Sequence, residues 1–317
     1  MSTINILVTG ITGFVGQNLA PYLIETGRYR LYGHSRNPEA IKEMYPQVTV
    51  APIKLDKEWL KANEINVIIH LAGIAHDLSG RYQEQDYYRV NRDDTVKLFR
   101  KFQEVNPHGK FIYLSSIKAL TDHSEKVLME EMPPDPKTPY GKSKQEAESI
   151  LLAAAKEMQV YILRPCMIYG PGNKGNLNLL YQFVKKGLPW PLAGFDNKRS
   201  FLSVENLNMV IHHFATQQIT PGIYHVANDD AVSTNVLVEW IGEAIGKSVR
   251  MWSLSPQWIQ RFAAFGGKVG LPFNEARLNK LTENYVVSNQ KLRQNMIDLP
   301  EMKTKSTLIK TIQSFHG

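Results

Sequence analysis

Tyr140 and Lys144 stand four residues apart in Tyr140-Gly-Lys-Ser-Lys144, at the head of a stretch with helical spacing. Residues at that interval share a helix face. A tyrosine of ordinary pKa, about 10, is a poor base at neutral pH. A lysine beside it favours the phenolate, so the pair is suited to moving a proton to or from an oxygen. Upstream, Phe111-Ile-Tyr-Leu-Ser115-Ser116 closes an apolar run. If that run is a buried strand, its terminal serine points into the crevice where open α/β sheets bind ligands and can hydrogen-bond the reacting oxygen. A YxxxK pair alone is common on plain surface helices. The serine and a glycine loop, in this order, make it far more specific.

That loop is Thr9-Gly10-Ile-Thr12-Gly13-Phe14-Val15-Gly16, entered from the apolar run Ile4–Val8 and followed by Leu19, Leu23 and Ile24 at helical spacing. An ordinary glycine turn is the plain reading. Strand before and helix after give the context of a dinucleotide-binding loop. Gly10 makes the tight turn, Gly13 admits the pyrophosphate, Gly16 lets the helix pack close, and the helix N-terminus faces the phosphates. The second strand ends in Tyr32-Gly33-His34-Ser35-Arg36, without the acid that holds a ribose 2′-hydroxyl. Ser35 can donate to a 2′-phosphate and Arg36 can pair with it, which favours NADP(H) over NAD(H). Asp56 is placed to accept from the adenine amino group, and Leu71-Ala72-Gly73 is small enough for a cofactor to lie close.

The elements that must position these residues alternate. Ile4–Val8, Tyr29–Gly33, Val48–Leu55, Val67–Leu71, Lys110–Leu114 and Val160–Leu163 read as strands. Phe14–Glu25, Glu39–Tyr45, Tyr87–Glu104 and Tyr140–Glu157 read as helices, with a short crossover near Lys57–Glu64. This is the pattern of an α/β, Rossmann-like, doubly wound parallel sheet. Residues 1–165 are expected to bind NAD(P). Residues 166–317, heavily punctuated by Gly and Pro, are expected to form a smaller substrate-binding domain, with segments near 200–226 returning to the sheet. Ser233 and Thr234 read as the N-cap of a helix running to about Ile245, with Gly246 its stop.

The chain has 317 residues, a formal charge of +7 and one cysteine, Cys166, so no intrachain disulfide forms. No segment has the length and apolarity of a membrane span, and the N-terminus lacks the features of a signal peptide. A cytoplasmic protein is therefore expected. The basic balance suits an anionic ligand, and no Lys/Arg run or motif points to nucleic acid. His70, His76 and His108 lack metal-ligand spacing, so no metal is predicted. Trp258–Phe273 reads as a helix packed on the smaller domain or on a partner chain. A helix lying on a membrane surface is the alternative.

Taken together, the glycine loop, Leu71-Ala-Gly73, Val90-Asn91, Leu114-Ser-Ser116, Tyr140–Lys144, Arg164-Pro165, Tyr169-Gly-Pro-Gly172 and Arg199–Leu207 resemble the landmarks of the extended short-chain dehydrogenases, the family of nucleotide-sugar epimerases and dehydratases. The resemblance spans nearly the whole chain. It implies Ser116, Tyr140 and Lys144 as the catalytic residues, and Asn91, Ser115 and Pro165 among those near the cofactor. It implies Ser116, Asn176, Arg199 and Arg277 on the substrate side, a nucleoside-diphosphate sugar as substrate, and a homodimer paired through the helices Tyr87–Glu104 and Tyr140–Glu157.

Within that family, 4,6-dehydratases carry Asp-Glu after the catalytic Ser/Thr, and enzymes acting at C3 and C5 carry a cysteine there. Here Ile117-Lys118 follow. Hydride chemistry at C4 is what remains. A 4-ketoreductase of surface-polysaccharide synthesis is favoured by Ser35-Arg36, by Met167 where epimerases carry asparagine, and by the strings Leu-Ser-Ser-Ile-Lys118 and Asp196–Ser200. The alternatives are a UDP-hexose 4-epimerase with tightly bound NAD and, in another class, a non-catalytic NADP-binding sensor or scaffold.

Overall fold

Strand and helix alternate through the first half of the chain and wind it into one sheet. The computed structural model describes residues 3–75, 81–173, 176–268 and 275–315. Its strands are β1 (Ile4–Thr9), β2 (Tyr29–His34), β3 (Thr49–Val50), β4 (Val67–His70), β5 (Lys110–Leu114), β6 (Gln159–Pro165), β7 (Met167–Tyr169), β8 (Arg199–Ser203), β9 (Gly222–Val226) and β10 (Ala231–Val232). Its helices are α1 (Phe14–Glu25), α2 (Pro38–Met44), α3 (Lys57–Ala62), α4 (Glu84–Tyr87), α5 (Thr95–Val105), α6 (Pro139–Ala154), α7 (Asn176–Lys185), α8 (Val204–Thr216), α9 (Thr234–Ala244), α10 (Pro256–Lys268), α11 (Glu275–Thr282), α12 (Gln290–Asn295) and α13 (Thr304–Gln313).

The main sheet runs β3-β2-β1-β4-β5-β6-β9, every neighbouring pair parallel. Its order reverses between β1 and β4, the position where such sheets open a crevice. Alternation along each strand supplies both faces. Ile6 and Val8 of β1 join the core that includes Leu19 and Leu23 of α1 and Phe214 of α8. Leu7 joins the opposite core, with Phe99 and Phe102 of α5 and Ala147 and Leu151 of α6. The chain is thus an α/β, doubly wound fold with both sheet faces covered. The later segments return in two forms. β9 is the seventh strand, and α8 lies on the sheet with Phe214 against Tyr161 and Tyr224, ring centroids 4.9 Å apart in both pairs. A second sheet, β10-β8-β7, sits with α7, α9 and α13 over a separate core containing Trp190, Leu237 and Ile312.

Two elements differ from the sequence expectation. The strand expected over Val48–Leu55 is only Thr49–Val50; Ala51 N still donates to Gly33 O (2.8 Å), and the ladder ends there. The helix expected over Tyr87–Glu104 is interrupted by a π-helical segment, Tyr88–Asp94. There the Asn91 carbonyl accepts from the Tyr113 hydroxyl (3.1 Å), drawing it away from a regular α-helical ladder. Ser233 does cap α9, accepting from Val236 N (3.1 Å), and Gly246 follows at φ +67°.

The buried histidines set an acid limit on stability. His70 shares hydrogen bonds with Thr9 (2.7 Å) and Thr95 (2.9 Å). Burial, then the Lys144 charge, pushes it down to about 3. Burial, then Arg164, pushes His225 down to about 3. Between about pH 6.5 and 3 the unfolded chain binds protons that the native state refuses, so stability is complete above the upper value and is lost as pH falls through that window. We predict a loss of about 1.4 kcal/mol per pH unit from each histidine. Denaturant unfolding of His225→Leu from pH 7 to 4 should show a slope shallower by one histidine's share. An unchanged slope would contradict the assignment.

Candidate active site

The β1–α1 loop needs its glycines. Gly10 sits at φ +71°, and a Cβ there would lie 2.8 Å from the Ala72 backbone nitrogen. At Gly16 a Cβ would lie 2.5 Å from the Gly10 and Ile11 carbonyl oxygens, and at Gly13 it would lie 3.2 Å from the Gly10 oxygen. The loop is therefore pressed against the end of β4 and against the start of its own helix. α1 begins without a capping side chain or an acid in its first turn. By contrast Asn37, Asp56, Thr138, Ser203 and Ser233 cap α2, α3, α6, α8 and α9. The first-turn amides of Phe14, Val15 and Gly16 thus have no side-chain acceptor, which fits a phosphate.

At the end of β2, Ser35 shares a hydrogen bond with Thr12 (2.8 Å) and accepts from Asn37 N (3.2 Å). If Thr12 is the donor, both lone pairs of Ser35 are used and its proton is left for a ligand. Arg36 is exposed and forms no ion pair among the described residues. Asp56 caps α3 by accepting from Trp59 N (2.9 Å), so one carboxylate oxygen is already engaged. Leu71 and Ala72 are half-buried at the end of β4, and Pro165 is buried at the end of β6.

Three residues expected near the cofactor also make contacts within the protein. A Cβ on Gly73 would lie 2.9 Å from Asn91 Oδ1 and 3.2 Å from Lys144 Nζ, so the space it leaves is taken by those side chains. Asn91 is fully buried and braces the loop, accepting from Ile74 N (2.8 Å) and donating to Ile74 O (3.0 Å) and Ser143 Oγ (3.2 Å). Ser115 turns inward and donates to the buried carboxylate of Glu148.

Ser116, the next residue along, faces the cleft and caps the short turn Ile117–Ala119, accepting from Lys118 N (3.2 Å). Tyr140 lines the same cleft. Burial raises its phenol, and a hydrogen bond with Ser116 pulls it back down. Lys144 was expected to do that. Instead its ammonium donates to the Leu114 carbonyl (2.9 Å) and lies 4.6 Å over the Tyr113 ring. Burial pulls Lys144 down to about 7, while the charge of Glu148 opposes that shift.

The cleft has a volume of about 840 Å³ and opens where β5, β6 and β7 end. Arg199 lines it, bonded to the Lys280 carbonyl (2.5 Å) and 3.6 Å from Glu283. The side chains of Asn176 and Arg277, and all of His76, lie outside the described residues. Met167 and Cys166 also line the cleft, and burial pushes the Cys166 thiol up. Sequence reasoning missed Lys118 and Asp122. Lys118 donates to Asp122 O (2.7 Å) and lies 4.7 Å over the Tyr285 ring. Asp122 Oδ2 accepts from Lys137 N (2.8 Å) and Thr138 N (3.2 Å), and its Oδ1 from Thr138 Oγ1 (3.4 Å). Thr138 in turn caps the helix that carries Tyr140. A lone aspartate in a loop gives no periodic or spacing signal.

Residues 6–227 match the model of a family described as NAD dependent epimerase/dehydratase. The chain is 33% identical over 279 residues to a UDP-glucose 4-epimerase of Vibrio cholerae, covering 83% of each. It is 24% identical over 263 residues to a GDP-6-deoxy-D-mannose reductase of Pseudomonas aeruginosa, covering 76% of this chain and 80% of that one. Among solved structures, the Bordetella bronchiseptica enzyme WbmG in complex with NAD and UDP superposes with a TM-score of 0.77 at 15% identity, covering 99% of this chain and 96% of the other. That likeness concerns the fold.

Asp122 ties the Ser116 turn to the cap of the Tyr140 helix, and a small misplacement at such a joint costs up to about 10²-fold in rate. We predict that Asp122→Ala lowers kcat by about 10- to 100-fold with a much smaller change in KM. Steady-state kinetics on the identified substrate would measure this. An unchanged kcat would refute the positioning role.

Proposed function

The chain belongs to the NAD dependent epimerase/dehydratase family, and we propose that it performs hydride chemistry at C4 of a nucleoside-diphosphate sugar. The specific reading is reduction of a UDP-linked 4-keto-6-deoxy sugar with NADP(H), for surface-polysaccharide precursors. One observation carries the choice of C4: the cleft pairs Ser116 with Tyr140, while its carboxylates at Asp122 and Glu283 are committed elsewhere. Asp122 is held by two backbone amides. Glu283 hydrogen-bonds His123 (2.9 Å) and faces Arg199. Elimination across C5 and C6 needs an acid and a base beside Ser116, where Ile117 is buried and Lys118 is a cation. A thiol base is equally unsuited, since burial keeps Cys166 protonated.

In this reading the sugar's C4 oxygen lies between the Ser116 and Tyr140 hydroxyls. Tyr140, protonated at neutral pH because burial raises its phenol, gives its proton as the ketone becomes an alcohol. Ser116 holds the oxygen through the step. Bound nicotinamide supplies the hydride. Lys144 stands one helical turn behind Tyr140, at the height of Leu114, and Arg199 pairs with the diphosphate. Arg36, with no ion pair among the described residues, supports the 2′-phosphate. Exposed faces of α5 and α6 are proposed to pair in a homodimer.

A second reading is 4-epimerisation of a UDP-hexose, supported by the identity to the Vibrio cholerae relative. The same residues would serve, with the cofactor retained.

The test is nicotinamide absorbance when the protein meets UDP-4-keto-6-deoxy-N-acetylglucosamine with NADPH, then with NADH. We predict stoichiometric oxidation, faster with NADPH, and a loss of ~10²–10⁴-fold in Tyr140→Phe. No oxidation, together with C4 interconversion of UDP-hexoses, would replace the reductase with the epimerase.

A further inference from the structure

The second half of the molecule carries an exposed aromatic face that the C4 chemistry does not use. Trp258 is 70% exposed and Trp252 52%, and Leu188 and Leu254 are each 46% exposed. Backbone pairing brings the segments together. Trp190 N donates to Arg250 O (2.8 Å), and Trp252 N donates to Trp190 O (2.8 Å). Trp252 and Leu254, two residues apart in this extended run, share a side. Trp258 follows in the first turn of α10, its N–H bonded to Ser255 O (3.1 Å). The opposite face of α10 is anchored, with Ile259 and Ala263 buried in the core around Trp190. The aromatic side is therefore the outer face of a packed helix.

The charges on the segments that build this face are all of one sign. Lys185, Lys186, Lys247, Arg250 and Arg261 are exposed, and none forms an ion pair among the described residues. The Lys247 ammonium reaches the Lys185 carbonyl (2.6 Å), and the Arg261 guanidinium lies 5.7 Å from the Trp258 ring. No Asp or Glu occurs between Glu157 and Asp196 or between Glu243 and Glu275, the stretches that build the face. Unneutralised cations around exposed tryptophan and leucine match an anionic lipid surface, where indole rings settle at headgroup level. A second copy of this chain carries a net +7 as well, so the two repel overall.

We propose that this face docks the protein peripherally on an anionic bilayer, with Trp252, Leu254 and Trp258 entering the interface and the five cations over the headgroups. The cleft would then work beside the membrane. The docking does not depend on which C4 reaction the cleft performs.

Sedimentation of the full chain with phosphatidylglycerol vesicles and with phosphatidylcholine vesicles tests it. At low salt the bound fraction should be about tenfold or more higher on the anionic vesicles, since each basic residue near such a surface contributes to binding. It should fall sharply near ~1 M salt, where the Debye length is about 3 Å. Brominated lipid should quench the tryptophan emission. Trp252→Ser with Trp258→Ser should abolish binding and quenching while leaving turnover of a soluble substrate unchanged. Lys186→Glu with Arg250→Glu, at exposed positions, should abolish binding independently if the tryptophan variant folds poorly. Equal binding to both vesicle types, wild-type binding by either double variant, or protection of the tryptophans by self-association without lipid would overturn the proposal.

Discussion

The carboxylate of Glu148 is the joint on which the catalytic arrangement depends. It is 2% exposed, accepts from the Ser115 hydroxyl, and takes the Arg164 guanidinium through Nε (3.1 Å to each oxygen) and Nη2 (2.5 Å). It therefore fastens α6 to the ends of β5 and β6. Tyr140, Lys144 and Glu148 lie at successive intervals of four along one stripe of α6. Fixing the rotation of the helix at Glu148 fixes the other two. Ser115 is fixed in the same bond, so its neighbour Ser116 is delivered to the opposite side, into the cleft. Burying such a pair is a doubtful gain in stability, but losing one partner costs about 3–5 kcal/mol. The directional bonds bring a particular geometry, and the same negative charge opposes the loss of the Lys144 proton.

A second constraint acts at the carboxyl ends of the parallel neighbours β1 and β4. The positive φ of Gly10 and its missing Cβ let the loop close onto Ala72, and Gly73 then leaves room for Asn91 and Lys144. Asn91 holds both polar backbone groups of Ile74 and sits in the π-helical segment whose carbonyl Tyr113 captures. These side chains pack beneath the loop that follows β4. The rim of the crevice carries the open amides of α1.

Much of this was legible in the sequence because it rests on local periodicity and glycine chemistry. Phe14–Glu25 and Lys110–Leu114 coincide with the observed elements, and Ser116 and Tyr140 line one cleft. What escaped was set by contacts distant in sequence. The Tyr113 hydroxyl redirected the helix after Tyr87. Ser115 and Asn91 gave their polar groups to the interior, and Lys144 turned to Leu114, since each buried donor or acceptor takes the nearest partner geometry allows. Asp122 and Lys118 carry no periodic signature, so only the folded chain reveals them in the cleft.

The central claim is that Ser116 and Tyr140 present the C4 oxygen of a nucleotide sugar to a bound nicotinamide. The most direct measurement is the position of the label in the sugar product after reaction with cofactor deuterated at the nicotinamide C4, read by NMR. One deuterium per cofactor oxidised, at the sugar C4 and at no other carbon, is the predicted result. Deuterium at a different carbon, or oxidised cofactor with unlabelled sugar, would contradict the account.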